Sequence, residues 1–332
     1  MKNVLVTGGT GFLAGWTIRR LLEKGYYVRA TVRSLDKSSA ITNMLRAEGI
    51  DTSNLTFVAA DLTRADSWDA AMNGIDYVLH IASPLGGNNH EDPALIPVAK
   101  SGVENVISSA IRSGVKKIVM TSSEAACYPE KNCANQSVDE TFWTDMNNKM
   151  ITNYMRSKII AEKTAWELVG KQSFTQLVTF LPGAILGPYM AGKRSSTDLI
   201  FEMLLKGTPS PKAIYPVSDV RDLADLQILA IENGKADGQR FIAESEEMTM
   251  PQMARFLKER YPNKRVSTVV IPNFLISIMA KFNAPMKVMN TMTGLKYHRT
   301  SKKARTLLGW KPRTAKETVV DAAEYMIKNN LA

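Results

Sequence analysis

Asn3-Val-Leu-Val-Thr-Gly-Gly-Thr-Gly-Phe-Leu-Ala14 is the stretch whose reading decides the fold. Asn3 to Thr7 is a short apolar run of strand type, Gly8, Gly9 and Gly11 make a tight turn, and Leu13 to Lys24 has helical apolar spacing that stops at Gly25. Two spacings overlap in the turn, Gly9-x-Gly11-x-x-Ala14 and Gly8-x-x-Gly11-x-x-Ala14. Both put glycine where backbone must approach a pyrophosphate and a small residue where helix must meet strand. The anion would rest on the helix N-terminus, held by backbone N–H groups and the helix dipole. Such a turn is also made for geometry alone, but strand, turn and helix in this order point to nucleotide binding.

Outward from that unit, further strands are expected at Tyr27 to Val32, Leu55 to Ala60, Tyr77 to Ala82, Lys117 to Thr121 and Leu177 to Leu181. Helical patterns fill the gaps, notably Ala94 to Ser113 and Thr152 to Leu168. Continuous apolar strands joined by crossover helices predict an α/β fold, a doubly wound parallel sheet of Rossmann type. Past residue 182 Gly and Pro interrupt the regularity, as in Gly187-Pro188 and at Gly207, Pro209 and Pro211. We therefore expect residues 1–182 to form a dinucleotide-binding domain that carries the reactive groups. Residues 183–332 should form a smaller, partly helical substrate lobe, with some segments returning to the first domain.

The composition agrees with a large folded core. The chain has 332 residues, 45% hydrophobic and 22% charged, with 20 Gly, 14 Pro and 2 Cys, which excludes a disordered tail, a collagen-like fibre and a disulfide scaffold. Its 42 Lys+Arg exceed 32 Asp+Glu, a formal charge of +10 that would suit a polyanionic partner. Residues 251–332 hold 16 of the basic groups and 4 of the acidic ones, leaving 26 against 28 elsewhere. The excess is thus confined to the C-terminal quarter and lacks aromatic interleaving, so a solvated basic face is expected and no nucleic-acid partner. The start of the chain has no apolar signal segment and no run reaches membrane-spanning length. A cytoplasmic protein with Cys127 and Cys133 reduced is expected, with no membrane partner and no metal site.

The end of the second strand discriminates between cofactors. An NAD site would offer a carboxylate there for the ribose 2′-hydroxyl. This chain reads Thr31-Val-Arg-Ser-Leu-Asp-Lys37, and Arg33 with Lys37 would attract a 2′-phosphate that a carboxylate repels. Asp36 lies past the strand end and is expected to face solvent. NADP(H) is the cofactor this pattern predicts.

Tyr154-Met-Arg-Ser-Lys158 supplies candidate chemistry. A Tyr and a Lys four apart share one helix face, and an ammonium beside a phenol favours the phenolate. Upstream, Thr121-Ser122-Ser123 ends a strand at the edge where open α/β sheets place ligands. A hydroxyl there could hold a carbonyl beside the tyrosine. A lone Tyr-x-x-x-Lys is equally the pattern of a surface helix pair; after a serine-tipped strand and a glycine turn it is far more specific.

With those residues in place, the sequence resembles the extended short-chain dehydrogenases/reductases. Specifically, it is similar to the branch of dihydroflavonol reductases, cinnamoyl-CoA reductases and NADPH-dependent aldehyde or carbonyl reductases. The resemblance covers nearly the whole chain, through Thr7 to Ala14, Arg33 to Lys37, Asp61-Leu62, His80-Ile-Ala-Ser-Pro84, Thr121 to Ser123 and Tyr154 to Lys158. It continues through Leu181-Pro-Gly-Ala-Ile-Leu-Gly-Pro188, Asp219 to Asp225 and Leu308 to Pro312. It implies that Ser123 polarises the carbonyl, Tyr154 donates the proton, and Lys158 lowers the tyrosine pKa and binds the nicotinamide ribose. It further implies that Gly8, Thr10, Gly11, Phe12 and Leu13 hold the pyrophosphate and that Arg33 and Lys37 hold the 2′-phosphate. Asp61 and Leu62 would flank the adenine, Ala82, Ser83 and Pro84 would line the cleft, and Pro182, Ile185 and Ser196 would lie along the cofactor.

His80 reads as a strand histidine satisfied within the core. Where dihydroflavonol reductases carry a flavonoid-binding asparagine, this chain has Tyr128, which argues against a flavonoid substrate. Met279, Met286, Met289 and Met292 read as helix core, or as a compliant apolar pocket wall. The function expected is reduction of an aldehyde or ketone, apolar or aromatic, by a monomer or homodimer. A hydroxysteroid-type dehydrogenase, a sugar-nucleotide epimerase and a non-catalytic NADP-binding redox sensor are the alternatives.

Overall fold

The computed structural model describes residues 2–86, 89–130, 137–190, 195, 197–282 and 284–331. Alternation along the strands explains the central sheet. Val4 and Val6 face one hydrophobic cluster and Leu5 the other; Val119 opposes Ile118 and Met120, and Val178 and Phe180 oppose Leu177. A strand apolar on both faces must be covered on both. Helix α1 (Phe12–Glu23) and helix α4 (Val220–Glu232) cover one face. Helix α2 (Leu95–Arg112) and helix α3 (Asn153–Val169) cover the other.

The strands are β1 (Asn3–Val6), β2 (Tyr27–Val32), β3 (Leu55–Ala59), β4 (Tyr77–His80), β5 (Lys117–Thr121), β6 (Gln176–Leu181) and β7 (Gln239–Ile242). They form one seven-stranded sheet in the order β7-β6-β5-β4-β1-β2-β3, every pair parallel. The order reverses between β1 and β4, so a crevice opens there at the C-terminal ends of the strands, the place where such sheets bind ligands. This is the Rossmann-type architecture expected from the alternation. β7 has no counterpart among the expected strands: four residues behind a long irregular stretch carry too little pattern to be read.

β4 stops two residues earlier than its apolar run. The Thr7 hydroxyl accepts from the backbone N–H groups of Ile81 (3.0 Å) and Ala82 (2.9 Å), which takes the chain out of the ladder. Having accepted twice, that hydroxyl donates to Nδ1 of His80 at 3.0 Å. His80 is buried, and burial with the nearby Lys158 charge pushes its pKa down to about 3, so the ring is neutral and pins β1 to β4.

A second sheet of three strands, Ala184–Leu186, Ile214–Asp219 and Glu246–Thr249, packs with helices Met250–Arg260 and Ala315–Lys328 around its own apolar core. Gly183 joins it to β6 at a point where the Pro216 carbonyl leaves no room for a Cβ. Of the methionine group, Met292 packs against this core while Met279 is 42% exposed, so of the two readings, helix core or pocket wall, helix core does not hold for Met279.

Candidate active site

Backbone conformation makes the glycine turn. Gly8 has φ +72°, and a Cβ there would stand 3.1 Å from that of Ala82, so the turn and the end of β4 touch. A Cβ on Gly11 would stand 3.1 Å from the Gly8 carbonyl oxygen. Gly11 is also the N-cap of α1 and offers no side chain to its first turn. The open N–H groups of α1 and a surface with no Cβ in the way fit a pyrophosphate. Thr10 and Phe12 are half-buried beside it, and Leu13 is buried under the helix.

Arg33 and Lys37 are exposed just past β2. Asp61, whose carboxylate accepts from the hydroxyl (2.7 Å) and N–H (2.8 Å) of Thr63, lies close enough to Arg33 for its charge to help hold the Asp61 pKa low. Asp36 is exposed and accepts from Ser34, as its position past the strand predicts. Leu62, Ala82, Ser83, Pro84, Thr121 and Lys158 line one cavity at the ends of β4 and β5. Pro182 and Ile185 follow β6 where the two lobes join, and Ser196 lies outside the described residues, as does Cys133. Cys127 is a buried free thiol.

Helix α3 begins at Thr152, whose side chain caps the Met155 N–H at 3.2 Å. Its first turn is clamped to the loop after β4. The Tyr154 N–H donates to the His90 carbonyl at 2.9 Å, and the two rings stack with centroids 5.1 Å apart. Asn153 Nδ2 donates to the Glu91 carbonyl at 2.8 Å. One turn on, Lys158 is buried and its Nζ donates to the Thr121 carbonyl at 3.3 Å. Burial lowers the Lys158 pKa to about 8 against the pull of Glu162. Ser123, two residues beyond Thr121, accepts from the Ala125 N–H at 3.2 Å.

The phenol differs from expectation. Burial first, and then the negative charge of Glu124, push Tyr154 up to about 12. In this structure Lys158 turns its hydrogen bond to Thr121 instead.

Beneath the helix, Glu162 is fully buried and accepts from Ser122 (2.7 Å), Thr179 (2.6 Å) and Arg240 Nε (2.9 Å). The Arg240 guanidinium also lies 3.6 Å from the Trp143 ring centroid. This network joins β5, β6, β7 and α3 at one point. Sequence reasoning passed over Glu162, Glu124 and His90. The first had a signal, four residues after Lys158 on the same face; Glu124 follows Ser123 directly; nothing in the sequence marks His90.

Tyr128 is buried, and its hydroxyl donates to the Thr291 carbonyl at 2.9 Å, tying the serine loop to the second lobe. No helix among the described residues is long and apolar enough to cross a membrane, and no group of His, Cys, Asp or Glu there could hold a metal ion.

Comparison with known proteins places this geometry. Residues 4–242 match the model of the NAD dependent epimerase/dehydratase family. The chain is 34% identical over 264 residues to cinnamoyl-CoA reductase 1 of Oryza sativa subsp. japonica, covering 78% of this chain and 76% of that one. It is 32% identical over 277 residues to a dihydroflavonol 4-reductase of Dianthus caryophyllus, covering 80% and 76%. Among solved structures it superposes on yeast methylglyoxal/isovaleraldehyde reductase Gre2 complexed with NADPH with TM-score 0.83 at 25% identity, over 99% and 100% of the two chains. Gre2 of Candida albicans in complex with NADPH gives TM-score 0.82 at 26% identity over 99% of each. A matched family model across most of the chain, with relatives above 30% identity, makes this protein a member of the NAD dependent epimerase/dehydratase family, the extended short-chain dehydrogenases/reductases.

Proposed function

We propose that this protein is an NADPH-dependent reductase that converts an aldehyde or ketone to an alcohol. The observation that carries the reading is Lys158, one turn beyond Tyr154 on α3, lining the same cavity as Ala82, Ser83 and Thr121 at the crevice of the sheet. The reductase names of the curated relatives and the NADPH in the Gre2 structures support it. In this reading Gly8, Thr10, Gly11, Phe12 and Leu13 hold the pyrophosphate, Arg33 and Lys37 the 2′-phosphate, and Asp61 and Leu62 the adenine. Ala82, Ser83, Pro182 and Ile185 line the path to the reacting carbon. Bound there, NADPH supplies the hydride that the carbonyl carbon receives.

The chain's own groups handle the oxygen. The Ser123 hydroxyl donates a hydrogen bond to the carbonyl oxygen and fixes the substrate's face. As the C=O π pair moves onto oxygen, Tyr154 gives that oxygen its proton, leaving a phenolate beside the Lys158 ammonium. Residues 1–182 then serve the nucleotide and the chemistry, and 183–332 chiefly the substrate. A cytoplasmic monomer or homodimer completes the reading.

The test is NADPH depletion against a panel of aliphatic, aromatic and dicarbonyl compounds, isovaleraldehyde among them. Tyr154→Phe should lose turnover by about 100-fold or more while NADPH affinity stays nearly intact. A variant that keeps most of its rate overturns the assignment.

A further inference from the structure

Tyr154 is the second residue of α3, so its N–H is one of the donors that a helix leaves open at its start. The chain leading into α2 supplies the acceptor, the His90 carbonyl at 2.9 Å. The same two residues meet again through their side chains. The His90 imidazole lies against the Tyr154 ring, with centroids 5.1 Å apart and planes 28° from parallel. Asn153 repeats the attachment one residue earlier, its Nδ2 donating to the Glu91 carbonyl at 2.8 Å and its N–H to Glu91 Oε2 at 3.4 Å.

The segment that carries His90 is held on several sides. The Asn89 N–H donates to the Gly86 carbonyl at 3.0 Å, and the Glu91 N–H to Asn89 Oδ1 at 3.1 Å. Asp92 Oδ1 accepts from the Ala94 N–H at 2.9 Å, just ahead of buried Leu95, the first residue of α2. Gly86 has φ +72°, and a Cβ there would stand 2.8 Å from the Asn89 carbonyl oxygen and 2.9 Å from Leu95 Cδ1. Glu91 Oε1 pairs with Lys287 of the second lobe at 3.5 Å. His90 thus rides on a turn fastened to α2, to α3 and to the second lobe.

We propose that His90 is a positioning residue for Tyr154: its imidazole is a flat plate that fixes the plane of the phenol, and with it the direction from which the hydroxyl meets a substrate oxygen. This deepens the reductase reading and rests on it for the role of Tyr154.

Among the described residues Tyr154 hydrogen-bonds through its main chain, the N–H to His90 and the carbonyl from Ser157 Oγ at 2.7 Å. Neither bond orients the ring. A proton passes only along a short, aligned path, so a donor free to turn spends less of its time competent. Burial lowers the His90 pKa, against the pull of Glu91, so at neutral pH the plate carries no charge. Its role is one of shape, which a hydrocarbon ring can fill.

The experiment separates a flat ring from bulk and from charge. His90→Ala and His90→Leu both keep the backbone carbonyl on the Tyr154 N–H. Each should lose about 10-fold in kcat with the fastest compound of the carbonyl panel, while KM for that compound stays near the parent's. NADPH affinity, read from cofactor fluorescence, should not change. His90→Phe should recover kcat to within about 2-fold of the parent. In a Tyr154→Phe background no phenol remains to be aimed, so His90→Ala should cost nothing further. Parent-like kcat in His90→Ala or His90→Leu overturns the proposal. So does a His90→Phe as slow as His90→Ala, a parallel loss of NADPH affinity, or an equal loss in the Tyr154→Phe background. Turnover surviving in Tyr154→Phe overturns the reductase reading, whereas a parent-like His90→Ala beside an inactive Tyr154→Phe overturns this inference alone.

Discussion

Arg33 stands exposed just past β2, where a carboxylate would serve an unphosphorylated ribose, and its charge already reaches Asp61. A guanidinium meets a phosphate with a planar pair of donors, whereas a carboxylate at the same place repels it. Arg33→Asp should therefore weaken NADPH binding by about 10-fold or more and leave NADH binding much less affected, measured by titrating cofactor fluorescence. Equal losses for both nucleotides would remove Arg33 from the phosphate site. At the same scale, His80 shows a residue whose type misleads. Its place in the site is structural, because a neutral ring that accepts from Thr7 holds the turn to β4. A core histidine was the reading from sequence; its partner could not be named until the strands were laid side by side.

Helix α3 is held by more than its apolar face. Thr152 caps it, His90 and Glu91 dock its first turn, and Glu162 anchors its middle to β5, β6 and β7. Glu162→Ala leaves Arg240 buried without its carboxylate and strands the Ser122 and Thr179 hydroxyls. Breaking one side of a buried pair costs about 3–5 kcal/mol, so Glu162→Ala should lose about that much in denaturant unfolding. Because Ser122 precedes Ser123, turnover should also fall. A loss within ordinary surface range, about 0.5 kcal/mol, would show that the network is not what holds the helix. The strand-and-helix alternation of this half was legible because strands buried on both faces read as continuous apolar runs set between helical patterns. The loop from β4 to α2 was not, since His90 acts through a backbone carbonyl and a stacked ring that no spacing announces.

At the scale of the molecule, β7 comes from far down the chain yet completes the sheet, and it brings Arg240 to Glu162. A fragment of residues 1–182 would keep the glycine turn and the tyrosine but lack β7, α4 and that guanidinium. We expect it not to fold alone: circular dichroism should show no cooperative unfolding transition, and NADPH should not bind. A folded, cofactor-binding fragment would mean the first domain is self-sufficient. The basic C-terminal quarter turns out to be mixed. Arg299 is buried and Arg313 pairs with Asp222, while Arg255, Lys258, Lys264, Arg265 and Lys281 are exposed.

The sequence by itself determined the Rossmann-type sheet, the glycine turn and the placing of Tyr154 and Lys158 one turn apart on α3. Each rests on residues close in the chain, where period, glycine and helical spacing act directly. Only the tertiary structure decided which charges meet in the interior. Glu162 stands four residues after Lys158 in plain view, but its partner Arg240 arrives from β7, far down the chain, and burial strips both of water. Desolvation and long-range approach are properties of the packed molecule, and no local pattern encodes them.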